Sequence, residues 1–191
     1  LKTNEVVIDK VLIKQFLNGL IFPLQFLDFE TFMPAIPLYN GTRPYENISF
    51  QFSCHQISES GETKHLEFLA EAGTDPRKKF LIELLKITEG VGTILVYDEL
   101  MEKGVLNNLM QLFPEYSNEI QQRLYRLIDL MKPFQEKAYY HPSFKGSFSI
   151  KNVLPAIAPE LNYSDLIISS GSIAMIAFEK LQTCLLYTSP S

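Results

Sequence analysis

Apolar residues recur along the chain with two different spacings. Val7, Ile8, Val11, Leu12 and Leu17 are spaced as on one face of a helix, which predicts a helix over residues 6–17. Residues 22–32 are aromatic-rich and opened by Pro23, and predict a strand. A loop rich in turn formers follows, with Pro34, Pro37, Gly41 and Pro44. Ile48, Phe50 and Phe52 then alternate, predicting a second strand over 48–57. The turn at Glu59-Ser60-Gly61-Glu62 leads to a third strand over 63–69, so the pair reads as a hairpin. Pro76 suits a first helical position behind Thr74 or Asp75, and Phe80, Leu81, Leu84 and Leu85 continue at helical spacing until Gly90 and Gly92.

The run from Thr93 to Tyr97 is continuously apolar, as a strand covered on both faces requires. Residues 99–113 and 115–126 predict two helices split by Pro114, and 127–130 a further short strand. Ser147 or Ser149 caps a short helix that Pro155 must limit or kink, and a last helix spans about 172–181. Three meandering strands, a helical crossover and a buried parallel strand form the opening of an RNase H-like fold. The expected class is α/β, a mixed sheet of a three-strand antiparallel meander plus parallel strands, flanked by helices. The 191 residues suit one domain. The first residue is Leu, and 184–191 breaks the preceding pattern in the manner of translated adapter sequence. A single domain over 1–183 with a non-native tail at 184–191 is therefore expected.

Composition narrows the class. The hydrophobic fraction of 46% is that of a globular chain, and no run approaches the roughly 18 apolar residues a membrane span needs. Cys54 and Cys184 cannot build a disulfide framework, and no Cys/His spacing suits zinc, so a reducing, cytoplasmic setting is the default. A net charge of −5 provides no general attraction for nucleic acid; any such contact needs a local basic patch or bound cations.

The most informative segment is Phe26-Leu27-Asp28-Phe29-Glu30-Thr31. On a strand Asp28 and Glu30 share a face, and two neighbouring carboxylates leaving water repel each other. A hard dication removes both penalties, and oxygen ligands are what Mg²⁺ or Mn²⁺ prefer. The plain alternative is a strand emerging into solvent with wet acids. A second acidic group follows the buried strand at Tyr97-Asp98-Glu99-Leu100-Met101-Glu102. There the alternative is an ordinary helix start, with Asp98 as cap and Glu99 favouring the dipole.

Asp28-x-Glu30 resembles the first motif of the DEDD exonucleases, and Tyr97-Asp98-x-x-Met101-Glu102 resembles their second, with Asp98 in place of the usual Asn and Met101 in place of Phe. Further segments carry a closer likeness: 22–31, Gly41-Thr-Arg-Pro-Tyr45, Glu102-Lys103-Gly104, Leu112-Phe-Pro-Glu-Tyr116, Tyr139-Tyr-His-Pro142 and Lys145-Gly-Ser-Phe-Ser-Ile-Lys151. Together they resemble, over nearly the whole chain, the bacterial family catalogued as domain of unknown function 2779. That resemblance implies an RNase H-like fold, often attached to a Cas4-like nuclease domain, and a 3′–5′ exonuclease-like activity on single-stranded nucleic-acid ends. It implies a two-metal site for Mg²⁺ or Mn²⁺ on Asp28, Glu30 and Glu102. It also implies a fourth carboxylate on a late helix behind a His or Tyr. No acid follows Glu179, which reads as part of a solvated helix face, and Tyr187 falls in the tail, so this stretch alone is expected to be inactive.

Several residues could support such a site. Asp98 and Asp129 could shape it from behind, although an ion pair or a cap also explains Asp129. Arg43, Tyr45, Lys145 and Lys151 could contact nucleic acid, Tyr45 by stacking and the cations on phosphates, or simply anchor loops and face solvent. His55, His65 and His141 form no ligand set. The rival function is a non-catalytic RNase H-like module that binds nucleic acid, or another protein, beside a separate nuclease domain.

Overall fold

The computed structural model describes residues 5–161 and 171–186. In chain order its elements are β1 (Val7–Ile8), α1 (Lys10–Asn18), β2 (Leu24–Phe32), β3 (Ile48–Ile57), β4 (Thr63–Leu69), α2 (Arg77–Ile87), β5 (Ile94–Val96), α3 (Leu100–Leu112), α4 (Ser117–Arg126), β6 (Leu127–Asp129), α5 (Lys132–Gln135), β7 (Tyr139–Tyr140), α6 (Ile150–Ile157) and α7 (Gly171–Leu186). Five strands form one sheet in the order β4-β3-β2-β5-β6. β4, β3 and β2 are antiparallel, whereas β5 lies parallel to β2 and β6 parallel to β5. This is the mixed sheet expected from the chain, with α2 as the crossover.

Ile94, Leu95 and Val96 of β5 are all buried, the pattern of a strand with both faces covered. One face of the sheet is sealed by α2, α3 and α4. Phe29, Phe52 and Phe68, one from each antiparallel strand, surround Phe80 of α2 with ring centroids 5.1, 5.5 and 5.9 Å away. Val105, Leu106 and Leu109 of α3 and Ile120 of α4 extend this core. The C-terminal carbonyls of α2 are met by two arginines from α4. Arg123 donates to Leu85 O at 2.8 Å, and Arg126 donates to Gly92 O at 2.9 Å and to Thr88 O. Guanidinium groups there satisfy orphan carbonyls and oppose the negative end of the helix dipole.

The opposite face differs because of one irregularity. The β2–β3 register slips between Glu30 and Thr31, which pair with Gln51 and Ser49 and leave Phe50 without a cross-strand partner. The alternation of Ile48, Phe50 and Phe52 expected from the sequence is thus broken by a β-bulge, which re-aims a side chain. Phe52 faces α2, whereas Phe50 stacks on Phe178 of α7 at 4.1 Å with the rings 10° apart. Phe32 meets the same ring edge-on at 5.1 Å. Gln182 of α7 accepts a hydrogen bond from Gly73 N–H at 2.6 Å and fastens the far end of the helix.

Two expectations need correction. The predicted helix over 6–17 begins only at Lys10, because Asp9 accepts the N–H groups of Val11 and Leu12 and so caps it. Val7 and Ile8 instead pair with Tyr140 and Tyr139. The last helix runs past 181 to Leu186, so 184–186 continues α7, while 187–191 and Tyr187 lie outside the described residues. As expected, Pro155 limits α6, which ends two residues after it. Among the described residues no helix is long and apolar enough to cross a membrane.

Candidate functional site

Asp28 and Glu30 project from β2 onto the α7 side of the sheet. Their cross-strand partners are Ser53 and Gln51. The two acids, Phe50, Gln51, Phe178 and Leu181 line a cavity of about 390 Å³ between strand and helix. Enclosure by that groove raises the pKa of both carboxyls even though water reaches them. For Asp28 the cause is loss of solvent, opposed by a hydrogen bond from the Phe29 backbone. For Glu30 it is loss of solvent and then the charge of Asp28. α7 begins directly against this pair: a Cβ at Gly171 would stand 2.8 Å from Glu30 Oε2, so only glycine fits the approach without movement.

Glu102 lies in the first turn of α3, on the buried face it shares with Val105, Leu106 and Leu109. It is 2% exposed, and its Oε2 has no hydrogen-bond partner among the described residues. Burial pushes this carboxyl up to about 7. A backbone hydrogen bond pulls the other way, and the charges of Asp28, Asp98 and Asp129 add to the rise. The third expected acid therefore stands within the electrostatic reach of the first.

Asp98 departs from the expected capping role. Its φ is +69°, and Glu99 occupies the cap position of α3 without a side-chain cap bond. Asn and Asp enter the left-handed region more readily than other residues with a side chain. An Asp can therefore replace the Asn of the resembled motif without altering the turn. Asp129 holds the turn: its Oδ1 accepts the Asp98 N–H at 2.9 Å and the Met131 N–H at 2.8 Å. It is a buried carboxylate with two backbone donors, which joins the ends of β5 and β6. Tyr97 extends the join by donating its hydroxyl to Phe148 O at 2.5 Å, which draws the 146–149 segment alongside.

The nucleic-acid contacts expected from the sequence are less concentrated. Arg43 pairs with Glu46 at 3.9 Å and lines a recess with Asn108 and Leu112, toward the C-terminal end of α3. Tyr45 is exposed on the same loop, and Lys145 and Lys151 are exposed on either side of the segment that Tyr97 anchors. Glu179 lies on α7, but the helix residues lining the acid cavity are Ala174, Ala177, Phe178 and Leu181. His55 and His65 are register partners on β3 and β4 and stack at 4.3 Å. Sequence reasoning missed one feature at the acid edge: the Glu99 carboxylate takes Lys103 Nζ at 2.9 Å on one oxygen and Lys132 Nζ at 3.6 Å on the other. The i,i+4 spacing of Glu99 and Lys103 was visible in the sequence; the arrival of Lys132 was not.

Whether these residues suit a divalent cation can be judged from their donors. Three carboxylates, one with a buried and unpartnered oxygen, are the hard oxygen set that Mg²⁺ or Mn²⁺ takes. As they stand, no three His, Cys, Asp or Glu side chains among the described residues are grouped closely enough to hold a metal ion. The donor chemistry fits, and a bound cation would have to draw Glu102 and the β2 acids together.

Two solved structures share the fold. One is a crystal structure of E. coli Exonuclease I in complex with a dT13 oligonucleotide, with TM-score 0.51 and 14% identity over 86% of this chain and 42% of that one. The other is a complex described as ExoI/SSB-Ct, with TM-score 0.51 and 16% identity over 86% and 43% of the two chains. The chain thus spans about two fifths of the length of the structures it resembles. At this identity the likeness shows the RNase H-like fold and not the activity. No curated protein matches the sequence. A family model described as a domain of unknown function, DUF2779, matches residues 25–149, which hold the meander, Asp28, Glu30, the second acidic segment and Asp129. This chain belongs to that family.

Proposed function

We propose that this domain is the nuclease unit of a metal-dependent exonuclease that hydrolyses phosphodiester bonds at single-stranded nucleic-acid ends, with Asp28, Glu30 and Glu102 as its carboxylates. The observation that carries the reading is the buried, unpartnered oxygen of Glu102 within reach of the Asp28 charge. A carboxylate left so is costly to keep unless something cationic arrives. Mg²⁺ or Mn²⁺ bound there would supply charge neutralisation at the phosphate and activation of the attacking water. Asp28 and Glu30 would hold such an ion from the strand and Glu102 from the helix. Asp129 would keep the turn between them rigid, so that positioning is settled before substrate arrives.

A single strand suits the geometry. Asp28 and Glu30 line a cavity of about 390 Å³ with Phe50 and Phe178, a size that suits one nucleotide better than a duplex. The oligonucleotide in the Exonuclease I structure supports a nucleic-acid partner. A Cas4-like domain attached to the same polypeptide would be a second partner. The lack of a ready three-residue metal group among the described residues favours the rival reading, a non-catalytic module that positions nucleic acid.

One experiment separates the two. Full-length protein is incubated with Mn²⁺ or Mg²⁺ and an end-labelled single-stranded oligonucleotide, beside Asp28→Ala. The enzyme reading expects stepwise shortening that falls by about a thousandfold in the variant, a loss of the size seen when one transition-state interaction is removed. Equal cleavage by both proteins rejects Asp28 as a ligand. Binding without cleavage by either protein supports the module.

A further inference from the structure

We infer that Lys103 and Lys132, held on the two oxygens of the Glu99 carboxylate, form a cationic subsite for the backbone phosphates of the bound single strand; the inference rests on the nuclease reading above. The need arises from charge. Asp28, Glu30, Asp98, Glu102 and Asp129 crowd one edge of a chain whose net charge is −5, and a polyanion brought to that edge is repelled unless cations stand beside it. The Arg43 side chain is turned to Glu46 at the other end of α3.

Both lysines are tied to the acid edge by the backbone. Lys103 is the residue after Glu102 on α3. Lys132 opens α5 directly after Met131, whose N–H is held by the same Asp129 oxygen that holds Asp98. A shift of either strand end therefore moves acids and lysines together. The shared Glu99 is mostly buried, at 19% side-chain exposure, whereas the lysines keep 38% and 45%. Its Oε2 has no hydrogen-bond partner among the described residues, so Lys132 at 3.6 Å neutralises it without forming a hydrogen bond. An ammonium has three donors, and one carboxylate oxygen occupies at most one of them, so both lysines can receive phosphate oxygens without leaving Glu99. Stability alone is a weak reason for the arrangement, since partly exposed ion pairs contribute little.

The test measures salt dependence, which a purely structural ion pair would not move. Binding of a labelled single-stranded oligonucleotide, DNA and RNA in turn, to full-length protein is followed by anisotropy over a salt series, with Ca²⁺ replacing the catalytic ion. Each phosphate that is no longer neutralised should reduce the slope of log K against log salt by about 0.7. The double variant Lys103→Ala/Lys132→Ala should therefore flatten it by about 1.4, and in a separate Mn²⁺ cleavage assay it should raise KM more than it lowers kcat. Lys132→Gln, which keeps the stem, should produce half of that flattening, and Lys132→Arg should keep the wild-type slope. If wild-type protein binds and the double variant keeps the full slope, the subsite is refuted and the nuclease reading stands. Wild-type protein that binds neither oligonucleotide refutes both.

Discussion

The two faces of the central sheet are built by opposite rules. On the α2 side the strands present Phe29, Phe52 and Phe68 to Phe80, and α3 and α4 add aliphatic residues until the layer is dry. On the α7 side the same strands present Asp28, Glu30, Gln51 and Ser53, and one helix docks over part of the surface through Phe178. A close-packed layer gains stability from every methylene and tolerates no polar atom without a partner. The other face keeps a cavity and raised carboxyl pKa values on Asp28 and Glu30, which cost stability. Glu102, on the buried face of α3, adds an orphaned oxygen within reach of the Asp28 charge. One face holds the domain together so that the other can stay under electrostatic stress.

The sharpest way to break the comparison is on the packed side. Phe80→Ala should destabilise the domain by about 3–5 kcal/mol, because the ring is fully buried among three others and its cavity cannot collapse. Urea unfolding measures this, and a loss below about 1 kcal/mol would show that the aromatic cluster is not the core.

The three acids should respond to pH, and the sign follows from Glu102. Its carboxyl titrates at about 7 when folded, against an ordinary 4.5. Between these values the native state binds the extra proton, so stability falls as pH rises from 4.5 to 7, in total by about 3 kcal/mol. Asp28 and Glu30, raised in the same direction, add to the slope. Thermal melts of metal-free protein across this window should show the decline, Glu102→Gln should remove most of it, and millimolar Mn²⁺ should flatten it. A melting temperature that climbs toward neutral pH contradicts the assignment of Glu102 as a buried acid.

The smallest effect is expected at α7. Phe178→Ala removes the ring stacked on Phe50 and leaves the α2 layer untouched. It should cost less than the roughly 3–5 kcal/mol of a central core site, because the helix can open locally. Hydrogen exchange should quicken in α7 while β2 and β5 keep their protection. Equal loss of protection in all three would mean that both faces fold as one unit.

Much of this architecture was legible in the chain. Alternation marked β3 and the turn at 59–62 its hairpin partner β4, the uninterrupted run 93–97 identified the buried parallel strand, and proline and turn residues separated α2, α3 and α4. The pairing of Asp28 with Glu30 followed from the period of a strand, whereas Glu102 was singled out only by the resemblance of residues 97–102 to the second DEDD motif. Less was legible where two long-range contacts compete. The bulge that turns Phe50 toward α7 looks in sequence like unbroken alternation, and Val7–Ile8 carries helical spacing although Tyr139 and Tyr140 claim it as a strand.

The sequence by itself determined which residues are acidic, where strands and helices run, and which carboxylates share a face, since each of these depends on neighbours a few positions away. Only the tertiary structure decided that Asp129 would hold the turn at Asp98, that Lys132 would meet Lys103 on one carboxylate, and that Glu102 would be sealed from water with an oxygen unpaired. Burial and charge coupling depend on what the fold brings near. Those partners are separated by about thirty residues or more along the chain, beyond the reach of any local period.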